Sequence, residues 1–191
     1  MPRWPEDSRT RLVDAAMSLF GEHGYAATTV DEIAARAGVT ARTFFRHFGD
    51  KEEVLFSEDD SLMPHLIATI AEPTGPVAAE ALMSRALSSL AEVMQPARDQ
   101  LRARQRIIDT EVSLAGRELA KQARWQRGVT TTLIDRGFAD EHAEVLSAIG
   151  FAIFVRELHA WLADDDGPDL AHRVRDALPR VRTVLDVVSS R

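Results

Sequence analysis

An all-α fold is predicted by three observations. Apolar residues recur at helical spacing along almost the whole chain. No window alternates convincingly with period two, and helix start and stop signals separate the apolar runs. Of the 191 residues, 45% are hydrophobic and 28% charged, the balance of an ordinary folded protein.

The elements follow in order. A first helix opens at Ser8, whose hydroxyl can cap it, and carries Leu12, Val13, Ala16, Met17, Leu19 and Phe20 on its buried side. It stops between Gly21 and Gly24, where glycine supplies the left-handed C-cap conformation. The second helix begins with Thr29 and Glu32 at capping-box spacing and buries Val30, Ile33, Ala34 and Ala37. Gly38 makes a turn and Val39 plugs a small core. Thr40 caps a third helix whose Phe44, Phe45 and Phe48 read as core. Asp50 with Glu53 repeats the capping signature and starts a fourth helix, through Val54, Leu55 and Phe56 to about Ile70. That helix should bend near Pro64, which cannot donate to the helical ladder.

Glu72 to Pro76 reads as a loop between two regions of different character. Further helices are expected at Val77 to Met94, Pro96 to about Thr110, Gly116 to Gly137, Asp140 to Ala163 and Asp169 to Val188. Asp164 to Pro168 is a polar turn, and Pro179 should kink or split the last helix.

Bulk properties exclude several classes. The length suits one large domain or two small ones. Cysteine is absent, so there is no disulfide framework, thiol nucleophile or thiolate metal site. No apolar run approaches the ~18 residues needed to cross a bilayer, and MPRWPEDSR lacks the apolar core of a signal peptide. A cytoplasmic protein without a membrane partner is expected.

The stretch from Thr29 to Phe48, TVDEIAARAGVTARTFFRHF, points to nucleic acid. It reads as two short helices joined by a tight turn, the second exposing Arg42, Thr43, Arg46 and His47. A compact helix pair with a polar second helix fits the major groove of DNA. The formal net charge of -7 argues mildly the other way, since DNA-binding domains are often basic. What matters is the local face: from Arg42 to Phe48 there is no acid, and Lys51 follows. A focused basic patch on an acidic protein still binds DNA, with reduced non-specific affinity.

The segment TRLVDAAMSLFGEHGYAATTVDEIAARAGVTARTFFRHFGDKEEVL resembles the N-terminal domain of TetR-type transcriptional repressors. The resemblance rests on the first-helix apolar pattern, the GY before the threonines, the VDEIA–AGV helix-turn and FFRHFGDKEEVL. It implies an all-α dimer, with three helices binding DNA and a larger, variable C-terminal ligand domain. The DNA-binding domain would span 6–66, with its helix-turn-helix at 29–48, and the ligand-binding and dimerisation domain 67–191. Phe45 stands where most members carry a tyrosine that hydrogen-bonds a phosphate, so that bond is lost here. The C-terminal half, from RARQRIIDT through KQARWQRGV to HAWLADDDGPDL, looks like a branch that binds acyl-CoA-like ligands.

The residues expected to meet DNA are Thr29, Thr40, Ala41, Arg42, Thr43, Arg46, His47 and Lys51. Thr40 can cap its helix and touch phosphate together, because a helix N-terminus offers N–H groups to phosphate. Arg42 either reads a base, most plausibly guanine through a bidentate contact, or touches phosphate alone. Arg46 and His47 are read as phosphate contacts. Lys51 occupies a phosphate-anchoring position by resemblance.

In the C-terminal half, Arg98, Arg102 and Arg106 share one helix face. A solvated charged face is preferred over a cationic mouth for a phosphate or carboxylate. Trp125, Phe151, Phe154 and Trp161 either line a pocket or form ordinary core; Arg102, Arg106, Trp125 and Phe151 are the ligand candidates. The stretch Ala148 to Leu162, with Gly150 allowing close approach, suits a dimer seam with the final helix. His142, His159 and His172 are too scattered for a metal, and no catalytic motif stands out. No cofactor is expected.

The expected function is a non-enzymatic, homodimeric repressor that binds a near-palindromic double-stranded operator and is released by a small apolar or acyl-CoA-like effector. The main rival is a helical small-molecule carrier or enzyme whose N-terminal motif is purely structural, and a second is an activator or nucleoid-type DNA binder.

Overall fold

Apolar residues at helical spacing fold as helices along most of the chain, and side-chain caps start α-helices at Thr29 and Thr40. The computed structural model describes residues 6–57, 59–72, 75 and 78–189, and no strand occurs among them. The α-helices are α1 (Glu6–His23), α2 (Val30–Arg36), α3 (Ala41–His47), α4 (Asp59–Ala71), α5 (Ala79–Met94), α6 (Arg98–Thr110), α7 (Val112–Asp135), α8 (Asp140–Ala163) and α9 (Leu170–Ser189). Short 3-10 turns occupy Glu53–Phe56 and Gln95–Ala97. Most of MPRWPEDSR and part of the Glu72 to Pro76 loop, with Val77, lie outside the described residues.

The chain packs as two units. The first joins Met1–Asp60 with Asp99–Glu118; the second joins Ser61–Arg98 with Leu119–Arg191. A linear division at residue 66 therefore differs from the packing, because Ile107, Ile108 and Leu114 are buried in the core of the first unit.

In the first unit, Leu12, Ala16, Leu19 and Phe20 of α1 pack with Ile33, Phe44 and Phe48. The Thr29 side chain accepts from Glu32 N while the Glu32 carboxylate accepts from Thr29 N, a complete capping box that starts α2. Gly38 turns the chain with φ +69°, a left-handed conformation that side chains rarely adopt. Thr40 then accepts from Thr43 N and starts α3. Just before α2, buried Thr28 donates its hydroxyl to the Gly24 and Leu19 carbonyls, closing the end of α1.

Two expectations for this unit need correction. Ser8 does not cap α1, which already begins at Glu6; its hydroxyl is used elsewhere. The fourth helix does not run continuously from Asp50 to Ile70. Glu53 N does donate to Asp50 Oδ1 at 2.7 Å, but only a 3-10 turn follows, and α4 begins separately at Asp59. The cause is burial of four consecutive residues, Val54, Leu55, Phe56 and Ser57. A run buried on every side lacks the single apolar stripe of a surface helix, and this short turn is enclosed by the core of the first unit.

In the second unit, α5 packs on α8 and α9, burying Leu82, Met83, Ala86, Leu87 and Leu90 with Phe154, Trp161, Leu170 and Val174. Gly150 of α8 does permit a close approach, but to α5 of the same chain. A Cβ there would lie 3.0 Å from Met83 Sδ. Arg98 Nη2 donates to the Trp161 carbonyl at 2.6 Å and also to the Asp164 carbonyl, satisfying the carbonyl end of α8. α9 continues through Pro179 without splitting, and α4 runs through Pro64.

The expectation that no stretch reaches bilayer length is corrected at α8. This helix is long and apolar enough to cross a membrane by length and composition. Its apolar character matches its place against α5 and α9, where Phe151, Ile153, Phe154, Trp161 and Leu162 are buried.

Candidate nucleic-acid interface

Helix α3 is the element to which the sequence assigns DNA contact, and its two faces differ sharply. Phe44 is fully buried, and Phe48, just after the helix, is 1% exposed. Arg42, Phe45 and Arg46 are exposed, and Ala41 and Thr43 half-buried. Phe45 overturns its reading as core: it is 57% exposed. Its ring stands edge-on to that of Phe44, centroids 5.5 Å apart at 82°. Two successive residues of a helix point about 100° apart, so burying Phe44 turns Phe45 outward.

The threonines are occupied by capping. Thr40 Oγ1 lies 3.2 Å from Thr43 Oγ1 besides receiving the Thr43 N–H. Exposed Thr29 donates its hydroxyl to Glu32 Oε2 at 2.8 Å.

His47 is turned toward the protein. Its Nε2 shares a 2.9 Å hydrogen bond with Ser8 Oγ of α1, and its ring lies beside Phe48. Burial, assisted by the charges of Arg46 and Arg9, pushes its pKa below the usual histidine value. A neutral imidazole offers no positive charge to a phosphate at pH 7.

Lys51 precedes the 3-10 turn, not the first turn of a long helix. Its ammonium donates to the Tyr25 carbonyl at 2.7 Å and the Thr28 carbonyl at 2.8 Å, and sits 4.1 Å from the centroid of the Tyr25 ring. Burial lowers its pKa, opposed by nearby Glu111 and Glu52. Two of its three N–H groups are thus spent on the loop between α1 and α2.

Ion pairs set this scaffold. Arg36 of α2 grips Glu22 of α1 through two bonds, Nη1 to Oε1 at 3.0 Å and Nη2 to Oε2 at 2.9 Å. Hydrogen bonds from Arg36 and then Ser18 hold the Glu22 carboxyl at about 2. Arg9 of α1 donates to the Ser57 carbonyl at 3.1 Å and lies over the Phe48 ring. Phe56 is flanked by the guanidinium groups of Arg104, 4.8 Å from its centroid, and Arg117, 5.7 Å away. Arg104 pairs with Glu118 at 2.7 Å, and Arg117 pairs with both Asp50 and Glu52. Ser8, Arg9 and Arg117 were not singled out as site residues by the sequence, because their partners lie 39 to 67 positions away.

Residues 12–57 match the model of a family described as bacterial regulatory proteins, tetR family. This domain belongs to the TetR family. The regulator HbdR from Aromatoleum sp. (strain CIB) is 40% identical over 55 residues, which make up 29% of this chain and 24% of HbdR. The match thus spans about a quarter of that relative's length.

Solved structures extend the likeness in fold beyond the TetR-family domain. SmeT bound to triclosan superposes with a TM-score of 0.64 at 21% identity, covering 91% of this chain and 90% of the other. SmeT is the repressor of the Stenotrophomonas maltophilia multidrug efflux pump SmeDEF. FadR from Bacillus subtilis, in complex with stearoyl-CoA, superposes at 0.59 with 18% identity, covering 89% and 95%.

The four ligand candidates are not brought together within either unit. Arg102, half-buried, and Arg106, exposed, belong to the unit that contains the TetR-family domain. Trp125 and Phe151 are buried in the other, where Lys121 lies over the Trp125 ring. The arginine row is also divided, since Arg98 is spent on the end of α8. A cavity of about 750 Å³ opens in the first unit between α1, the 3-10 turn and α6. Val13, Met17, Leu55 and Leu101 line it with Arg9 and Arg104, and none of the four candidates does. Among the described residues, no group of three His, Asp or Glu could hold a metal.

Proposed function

We propose that this chain is a homodimeric transcriptional repressor that binds a near-palindromic operator through α3 and is released by a small-molecule effector. The observation that carries this reading is the exposed row Arg42–Phe45–Arg46 on a helix whose other face is locked by buried Phe44. Such a helix presents cations outward with its own position fixed, as major-groove entry requires. Two copies related by two-fold symmetry would enter successive major grooves ~34–36 Å apart.

Within this reading, Arg42 and Arg46 supply the charge that meets DNA. Thr29, Thr40, Ala41 and Thr43 shape and border the surface. Lys51 keeps one N–H for a phosphate, and His47 contributes position more than charge. The C-terminal helices supply the dimer bundle and an apolar effector site, with an acyl-CoA-like molecule the first candidate. That choice is supported by the fold shared with a stearoyl-CoA complex. The effector acts only through its difference in affinity between the DNA-bound and released states. A cytoplasmic location follows from a role on chromosomal DNA.

The test is gel shift with the DNA flanking the protein's own gene, with and without stearoyl-CoA. Binding of one duplex per dimer, weakened by the acyl-CoA, is expected. Absence of any shifted complex would instead favour a carrier or enzyme with a structural N-terminal motif. Binding indifferent to stearoyl-CoA and to shorter acyl chains would remove the acyl-CoA assignment.

A further inference from the structure

We propose that Phe45 is a base-reading residue whose ring packs against the 5-methyl group of a thymine adjacent to the base pair met by Arg42. The inference rests on the DNA-binding reading above and assigns a specificity that charge alone does not supply. Among the described residues, Phe45 is the one aromatic in the set of large exposed hydrophobic side chains. Its two neighbouring phenylalanines are buried to within 1%. The exposed ring is also held: its edge-on contact with Phe44 ties it to a side chain that cannot move without disturbing the core.

Position narrows what the ring would meet. Arg42 precedes Phe45 by three residues, so the two side chains stand on the same helix face. Three residues advance the helix by about 4.5 Å, close to the ~3.4 Å between stacked base pairs. Neighbouring base pairs are therefore within their joint reach. The ring has no donor or acceptor, so it cannot bond a phosphate or the polar edge of a base. Of the groups that bases present in the major groove, the thymine methyl is the apolar one. A guanine-thymine preference within each half-site follows from Arg42 and Phe45 together.

The experiment recovers half-sites from a randomised duplex pool with the full-length wild-type protein, then replaces each thymine in turn by deoxyuridine, which lacks only the methyl group. At one thymine per half-site, wild type should lose affinity by about fourfold, the value of one buried methyl-sized group. Phe45→Ala should show no further loss at that position, while Phe45→Leu, which keeps an apolar side chain, should retain part of the discrimination. Far-ultraviolet dichroism and thermal melting of both variants confirm that α3 remains folded. Recovery of defined half-sites with the same thymine-to-uracil response in wild type and Phe45→Ala overturns this assignment and leaves the DNA-binding reading intact. Failure to enrich any sequence overturns both.

Discussion

The ammonium of Lys51 donates to the carbonyl of Thr28 across 2.8 Å, joining residues 23 positions apart. Thr28 immediately precedes the N-cap of α2, so this bond, with its counterpart to Tyr25, fixes where the helix-turn-helix begins relative to the segment that follows it. Lys51→Met should lower the stability of the first unit by about 1–2 kcal/mol, less than two full charge-assisted bonds because the group is partly solvated. The melting midpoint should fall by a few degrees. If the remaining N–H of Lys51 meets a phosphate as proposed, the variant's log–log salt dependence of DNA binding should also be about one unit shallower. A lower midpoint with an unaltered salt slope would confine Lys51 to scaffolding.

Arg42→Ala removes an exposed guanidinium and leaves Phe44 and Phe48 untouched. Operator affinity should fall by about 1–3 kcal/mol, with relaxed discrimination at one base pair. Titrations against a panel of single-base operator variants distinguish this from a uniform loss, which would make Arg42 a phosphate contact.

His47 is expected to couple folding to pH. Its pKa is lowered in the folded protein, so between that value and about 6.5 the unfolded chain binds more protons. Its contribution to stability is present above the unfolded pKa and is lost as pH falls through this window. Denaturant midpoints at pH 7.5 and pH 5 should differ more for wild type than for His47→Gln. Equal pH dependence in both proteins would show that His47 does not couple protonation to folding.

Thr29→Ala deletes one half of the α2 capping box and should destabilise the first unit by about 1 kcal/mol. Thr29→Ser keeps the accepting oxygen and should melt close to wild type. If both variants melt alike yet bind DNA differently, Thr29 serves the nucleic acid and not the helix start.

Local signals were the legible ones. The capping box at Thr29 and Glu32, the Gly38 turn, the Thr40 cap and the bounds of α8 are all written in residues a few positions apart. Phe45 misled because apolar character does not reveal which of two adjacent helical residues faces the core. The Asp50–Glu53 signal was real as a hydrogen bond, yet burial of Val54 to Ser57 overrode continuation into a long helix. His47 and Lys51 were recognised as candidates, but their partners Ser8, Tyr25 and Thr28 come from distant sequence, where spacing carries no information. For the same reason the return of residues 99–118 to the first unit was not readable.

That return has a practical consequence for anyone wishing to isolate the reading head. A fragment ending near residue 66 would lack Ile107, Ile108 and Leu114, and would strip Phe56 of Arg104 and Arg117. Asp50 and Glu52 would lose their common counter-ion as well. The smallest piece that keeps its own interior is therefore discontinuous along the chain, and a simple C-terminal deletion would yield a sticky, poorly folded product where a shorter DNA binder was intended.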